Sequence, residues 1–324
     1  MNPTDPTAAT GRCAGRERDP AAALATARAG VLYGIGAYGL WGVLPLYFKA
    51  VKHVPALEVL CHRILWSLVL LLGLAWLRGS WPAARAALCC RRTLLTLCVT
   101  TLLIAGNWLV FIWAVANDHV LQASLGYYIN PLVNVLLGFL FLRERLRRWQ
   151  IGAVVLAAIG VGYLTFAGKQ FPGLALFLAL TFGCYGLLRK TARVDAPVGL
   201  TIETALLMPP ALAYLGYQML HGHAVFLRDS LPMDGLLLLA GVVTAAPLLW
   251  FTEAARRLRL ATLGFLQYLS PTGHFLLAVL AFGEPFTWAH GVTFACIWTA
   301  LLLYSIEAAR SGRPAPAPVA PPME

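Results

Sequence analysis

Apolar stretches, nearly free of charge, recur ten times from one end of this chain to the other, and they restrict its fold more than any other feature. They lie near 30–48, 56–77, 94–116, 121–142, 150–167, 173–188, 199–219, 235–255, 261–282 and 289–308. A helix needs roughly 17 to 25 residues to cross about 30 Å of hydrocarbon; nine of the runs meet that length and 173–188 falls one residue short, with 150–167 and 173–188 the weakest spans. Hydrocarbon offers a bare backbone no hydrogen bonds, so each crossing is expected as an α-helix. Composition agrees: 59% of the 324 residues are hydrophobic and 12% charged, against about 25% charge in a soluble domain. The expected class is an all-α integral membrane protein.

The net charge of +11 would suit a nucleic-acid groove, but the placement of the charge argues otherwise. With the N-terminus inside, 20 of the 25 Lys and Arg fall on cytoplasmic segments, among them Arg78, Arg85, Arg91, Arg92, Arg143, Arg145, Arg147 and Arg148. The opposite side holds Lys49, Lys52, Lys169 and Arg228, while Arg63 lies within a span. This is the positive-inside asymmetry that orients helices at insertion. It predicts both termini in the cytoplasm and no nucleic-acid partner. Residues 1–29 carry no signal-peptide pattern and read as a disordered cytoplasmic tail, as does the Pro/Ala-rich segment 309–324. The seven cysteines show neither metal-ligand spacing nor an external disulfide framework.

The chain repeats itself. At a shift of 140 residues Tyr128 falls on Tyr268, Asn130 on Ser270, Pro131 on Pro271 and Glu144 on Glu284; Leu109, Phe111 and Ala114 fall on Leu249, Phe251 and Ala254. At slightly larger shifts Tyr38-Gly39-Leu40 matches Tyr185-Gly186-Leu187, and Glu58 matches Glu203. Two five-helix halves are expected, 30–167 and 168–308. Because five is odd, the second half enters the membrane inverted, a plan of secondary transporters with a site near the midplane.

These strings are familiar in combination. Leu40-Trp41-Gly42-Val43-Leu44-Pro45-Leu46-Tyr47-Phe48-Lys49, His62-Arg63-Ile64-Leu65-Trp66-Ser67, Asn107-Trp108-Leu109-Val110, Ala123-Ser124-Leu125-Gly126-Tyr127-Tyr128-Ile129-Asn130-Pro131-Leu132 and Leu263-Gly264-Phe265-Leu266-Gln267-Tyr268 resemble the EamA group of the drug/metabolite transporter superfamily, most closely its RarD-type permeases. The similarity runs from about Gly30 to Glu307. It implies a permease of about ten transmembrane helices in two inverted EamA repeats, multi-pass in the bacterial inner membrane, moving a small metabolite or drug. One departure stands out: Arg143-Glu144 replaces the Gly-Glu that the second half keeps as Gly283-Glu284.

Ionisable groups in a bilayer are costly, about 2.5 to 3.5 kcal/mol for a central Arg on insertion scales, and turn toward a cavity or a partner. Arg63 lies seven residues into the second run, about 10 Å along a helix. It is expected to grip an anionic substrate group with two prongs; the alternatives are outward snorkelling or a permanent pair with Glu58. His62 and Glu58 share a helix face and suit gating or proton transfer. Glu203, the mate of Glu58, would form the matching inner gate or else be an interfacial charge, and Glu253 would pair with nearby arginines. Asn107, Trp108 and Trp113 in the third run, Tyr127 and Asn130 in the fourth, and Gln267 and Tyr268 in the ninth form the polar and aromatic set typical of a small-molecule site. Pro45, Pro131 and Pro271 are candidate hinges.

Two lures fall away. Gly34-Ile35-Gly36-Ala37-Tyr38-Gly39 matches the dinucleotide fingerprint but follows no strand, and His221-Gly222-His223 supplies two metal ligands without a third. Neither a cofactor, a metal nor an enzymatic activity is expected, and the absence of a P-loop argues against an ATP-driven pump. The expected function is a secondary transporter working by alternating access, with proton-coupled export as one mode; the alternative is a receptor or assembly scaffold without transport. Lipid and a small solute are the expected partners, as a monomer or homodimer.

Overall fold

A computed structural model describes residues 20–142, 148–167, 169–192, 194–258 and 260–310. Arg12, Arg16, Arg18, Arg313, Arg143 and Glu144 lie outside the described residues. Among the described residues the chain is helical and without strands. The helices are α1 (Pro20–Ala50), α2 (Ala56–Leu77), α3 (Trp81–Cys89), α4 (Arg91–Ala116), α5 (Val120–Leu142), α6 (Arg148–Phe166), α7 (Gly173–Thr191), α8 (Ala196–Leu220), α9 (Leu231–Arg257), α10 (Leu260–Gln267), α11 (Leu269–Leu276) and α12 (Trp288–Arg310). Eight are long and apolar enough to cross a membrane, and two shorter apolar stretches, Gly173–Arg189 and Leu269–Ala281, fall at the sixth and ninth runs.

Three local features differ from the sequence expectation. Helix α1 starts at Pro20, inside the segment expected to be a tail; an Ala-rich run behind a proline at the first helical position favours a helix there. Helix α3, with nine residues, occupies an expected loop and is too short to cross. The ninth run is not one helix. It turns at Tyr268, restarts as α11 and ends in a π-helical turn, Leu277–Ala281. Pro271 lacks an N–H and its ring crowds the carbonyl of Gln267, so the turn falls where the α-helical ladder cannot be completed. Ser124 donates to the Pro271 carbonyl at 2.8 Å. Pro45 and Pro131, by contrast, lie inside continuous helices.

Lipid is as apolar as leucine, so helices in a bilayer associate through close packing and hydrogen bonds rather than the hydrophobic effect. Small residues permit the approach here. A Cβ added at Gly273 of α11 would lie 2.8 Å from the Cα of Gly42 in α1, and one at Gly241 of α9 would lie 2.6 Å from the Trp66 backbone in α2. Helix α1 packs on α9 and α11, α2 on α8 and α9, α4 on α7 and α8, α5 on α7 and α11, and α6 on α12. Large apolar side chains such as Leu102, Phe166 and Leu280 stand exposed around the outside, the surface that lipid would cover.

A candidate binding site around Arg63

Inside the bundle, the guanidinium of Arg63 is buried where α1, α2, α4 and α9 meet. Its Nε donates to Thr244 Oγ1 at 2.8 Å, and Thr244 lies at the middle of α9. One face of the guanidinium lies 4.2 Å from the centroid of the Trp108 ring, and Phe48 stands 5.8 Å away. Desolvated contacts of this kind are worth about 2 kcal/mol. The two terminal nitrogens have no hydrogen-bond partner among the described residues, and no carboxylate is within ion-pair reach. The fork that binds an oxyanion in two places is therefore unoccupied by protein.

Aromatic rings continue the wall. Phe111 touches Phe48 at 5.8 Å, Tyr127 at 5.6 Å and His274 at 5.2 Å between centroids, and Tyr127 lies 5.7 Å from His274. His274 Nε2 bonds the Trp41 carbonyl at 2.9 Å, while its Nδ1 is buried without a partner. Asn107 ties this wall to α7, donating to the Leu178 carbonyl at 3.0 Å and to Thr181 Oγ1 at 2.9 Å, and accepts from the Tyr127 hydroxyl at 3.4 Å.

Two carboxylates are buried elsewhere in the bundle. Glu58 and Glu203 are both fully buried. Glu203 accepts from Thr100 at 2.6 Å and Tyr185 at 3.1 Å, with the Arg189 Nε at 3.8 Å. Glu58 accepts from the Val225 backbone N–H at 2.9 Å, and its Oε2 is buried without a partner. His62 accepts from Trp66 Nε1 at 3.3 Å and likewise leaves Nε2 unpaired.

A buried cation among aromatic rings inside a helical membrane bundle calls for relatives that handle solutes. An uncharacterized transporter of Vibrio cholerae is 49% identical over 89% of this chain and 96% of its own length. Protein RarD of Escherichia coli K12 is 46% identical over 87% of this chain and 95% of its own, and the EamA-like transporter family matches residues 28–166. The chain belongs to the EamA-like transporter family, in its RarD group. It is a multi-pass membrane transporter. A more distant relative, the chloramphenicol-sensitive protein RarD of Pseudomonas aeruginosa, is 34% identical over 87% of this chain. A solved crystal structure with 22% identity superposes over 87% of the chain and 98% of its own with a TM-score of 0.55, a likeness of fold alone.

Within this RarD-group chain, the residues singled out from sequence divide. Arg63, Trp108, Tyr127 and Asn107 come together at one place. Tyr268 belongs to the crossing of α5 and α11, stacked on Tyr128 at 6.5 Å, next to a bond of 2.6 Å between Tyr128 and Thr272. Gln267 is half-buried at the end of α10, and Asn130 is buried in α5 with an unpaired Oδ1. Trp113 is 45% exposed, its ring against His119. Glu253 bonds Arg257 one turn away and approaches Arg78 at 3.8 Å. Arg63 is not paired with Glu58: five residues turn a helix by about 140°, so the two side chains leave α2 on different faces. Thr244 carries no sequence signal of its own, and Phe48 and Phe111 appear in the family string and the repeat without pointing to a site, since a threonine or phenylalanine in an apolar span is ordinary.

Proposed function

We propose that the chain is a secondary transporter of the bacterial inner membrane that carries a small organic solute bearing an oxyanion. In this reading the solute's charge seats on the free fork of Arg63 and its apolar body lies against Trp108, Phe48, Phe111 and Tyr127. The carrying observation is the buried guanidinium with one nitrogen held by Thr244 and two unpaired. A purely structural arginine in hydrocarbon would be expected to have its donors satisfied. The drug sensitivity in the name of the Pseudomonas relative is consistent with an organic solute.

Two inverted five-helix halves, residues 30–167 and 168–308, rocking about Arg63 would give alternating access. The packing supports this division. Exchanging the halves, so that α1, α2, α4, α5 and α6 become α7, α8, α9, the α10–α11 pair and α12, turns each major helix pairing into another observed one. The repeat mates Tyr128 and Tyr268 face each other, as residues near a two-fold axis do. In this reading both termini are cytoplasmic, as the positive-inside bias favours, with Glu58 at the outer end, Glu203 at the inner, and either suited to proton coupling.

The test is counterflow in proteoliposomes across a library of carboxylates, phosphates, neutral solutes and cations, with and without a pH gradient. Exchange selective for anionic solutes supports the reading. Selective exchange of cations, or none from folded protein, overturns it.

A further inference from the structure

The connection between α8 and α9, residues 221–230, does more than join two helices. Two of its backbone N–H groups are held by carboxylates outside the loop: Val225 by Glu58 of α2 at 2.9 Å, and Leu227 by Asp234 of α9 at 2.7 Å. Between these two ties Phe226 is turned inward. Its ring lies 4.8 Å from His62 and 6.4 Å from Trp66 between centroids. Leu227, just after it, has a φ of +64°, a left-handed conformation that costs a branched side chain about 1 kcal/mol or more.

Beneath Phe226 sit buried polar atoms with nothing to bond: Glu58 Oε2 and His62 Nε2. Leaving a buried polar atom unpaired costs about 1 to 3 kcal/mol, so the covered arrangement gives up stability that an uncovered, hydrated one would recover. Strain at Leu227 acts in the same direction. The ties through Glu58 and Asp234, together with the packing of the half-buried Phe226 on His62, hold the loop down against both. Tyr214 of α8 and Cys61 of α2 lie within electrostatic reach of Glu58, and Asp234 within reach of His62.

We infer that residues 221–230 form a lid over the Arg63 end of α2, with Phe226 as its plug and Glu58 and Asp234 as its two latches. Lifting the lid uncovers His62; Arg63, one residue on and about 100° around the helix, lies on the neighbouring face toward Thr244 of α9. As an outer gate the lid rests on the transporter reading above, but its opening can be measured without transport.

The experiment uses the full chain in lipid nanodiscs, with His62→Cys as a reporter directly under the plug and peptide mass spectrometry to read its alkylation by a small maleimide. Adding Phe226→Ala or Glu58→Ala should speed alkylation at least ten-fold, with the size-exclusion profile unchanged. Glu58→Gln should not, because its amide oxygen still accepts the Val225 N–H. An unchanged rate in Phe226→Ala, or Glu58→Gln behaving like Glu58→Ala, overturns the lid. Hydrogen exchange in the otherwise native chain gives a second reading. Glu58→Ala should accelerate exchange at Val225 and Asp234→Ala at Leu227, each at least ten-fold, and unaltered exchange at both sites overturns the latches. If the lid responds but no solute moves in proteoliposomes, the lid stands and the transport reading fails.

Discussion

Replacing Arg63 should cost the fold less than replacing the threonine that serves it. The guanidinium carries an insertion cost of about 2.5 to 3.5 kcal/mol. Against it stand one hydrogen bond from a charged donor to Thr244, worth about 1.5 to 3 kcal/mol, and stacking on Trp108, worth about 2 kcal/mol. Arg63→Met removes the cost and both gains together, and its thioether chain fills much of the same apolar space. On these figures the gains exceed the cost by about 0 to 2.5 kcal/mol, and with the methionine's own packing returning part of that, the net loss should stay within about 1.5 kcal/mol of the wild type. Thr244→Val is nearly isosteric but leaves the buried charge in place with a third unpaired nitrogen, so it should destabilise by about 1.5 to 3 kcal/mol. In the Arg63→Met background the same valine should cost under about 0.5 kcal/mol, because the bond it breaks no longer exists. Equilibrium unfolding in mixed detergent micelles reads all four corners of this cycle. If Arg63→Met is the most damaging single change, or the two substitutions add, Arg63 is a structural element and the argument from its free fork fails.

Other consequences concern the end of the bundle that carries Lys49. Glu284 accepts from the N–H groups of Val120 and Leu121 at 2.7 and 2.8 Å, closing the first turn of α5 with a buried carboxylate. Glu284→Ala should cost about 1 to 3 kcal/mol for each N–H left unpaired, whereas Glu284→Gln, keeping one acceptor, should lose distinctly less; equal losses in Tm would contradict the capping role. The exposed Asp118 is ion-paired with Lys49, whose hydrogen bond holds its carboxyl below the ordinary range. A depressed carboxylate stabilises the fold above its unfolded-state value and loses that contribution as pH falls through the folded one. Solvent screening limits the effect to about 0.5 kcal/mol. Wild type and Asp118→Asn should therefore differ slightly in Tm at neutral pH and converge in acid, and a gap that widens in acid would refute the assignment.

Much of the architecture was legible because a bilayer reads hydropathy almost directly: the long uncharged runs correspond to the eight long helices and to α7. The interruption at Tyr268 was legible only as the candidate hinge at Pro271, not in the hydropathy, which weighs side chains whereas the break arises from a missing N–H. Arg63 stood out because a charge in hydrocarbon demands a reason. Its partner did not, because a threonine in a membrane helix ordinarily bonds its own helix, and Thr244 does so as well, donating to the Ala240 carbonyl at 2.8 Å. Spacing alone left a Glu58–Arg63 pair open; helical geometry together with the Val225 contact removes it. Trp113 shares a helix and an aromatic character with Trp108, yet only the packing distinguishes the ring over the guanidinium from the one at the bundle surface. Phe226 was invisible for the opposite reason, being one of four consecutive apolar residues, Ala224 to Leu227, in a short connection, and its importance rests on what lies beneath it.

The most direct test of the account is the exchange of an aromatic carboxylate in proteoliposomes by the wild type, Arg63→Lys and Arg63→Met, at equal reconstituted protein and verified folding. Two-pronged seating of an oxyanion predicts at least a hundred-fold loss for Met and an intermediate loss for Lys, which keeps the charge but not the planar fork. Exchange by Arg63→Met at the wild-type rate would contradict it.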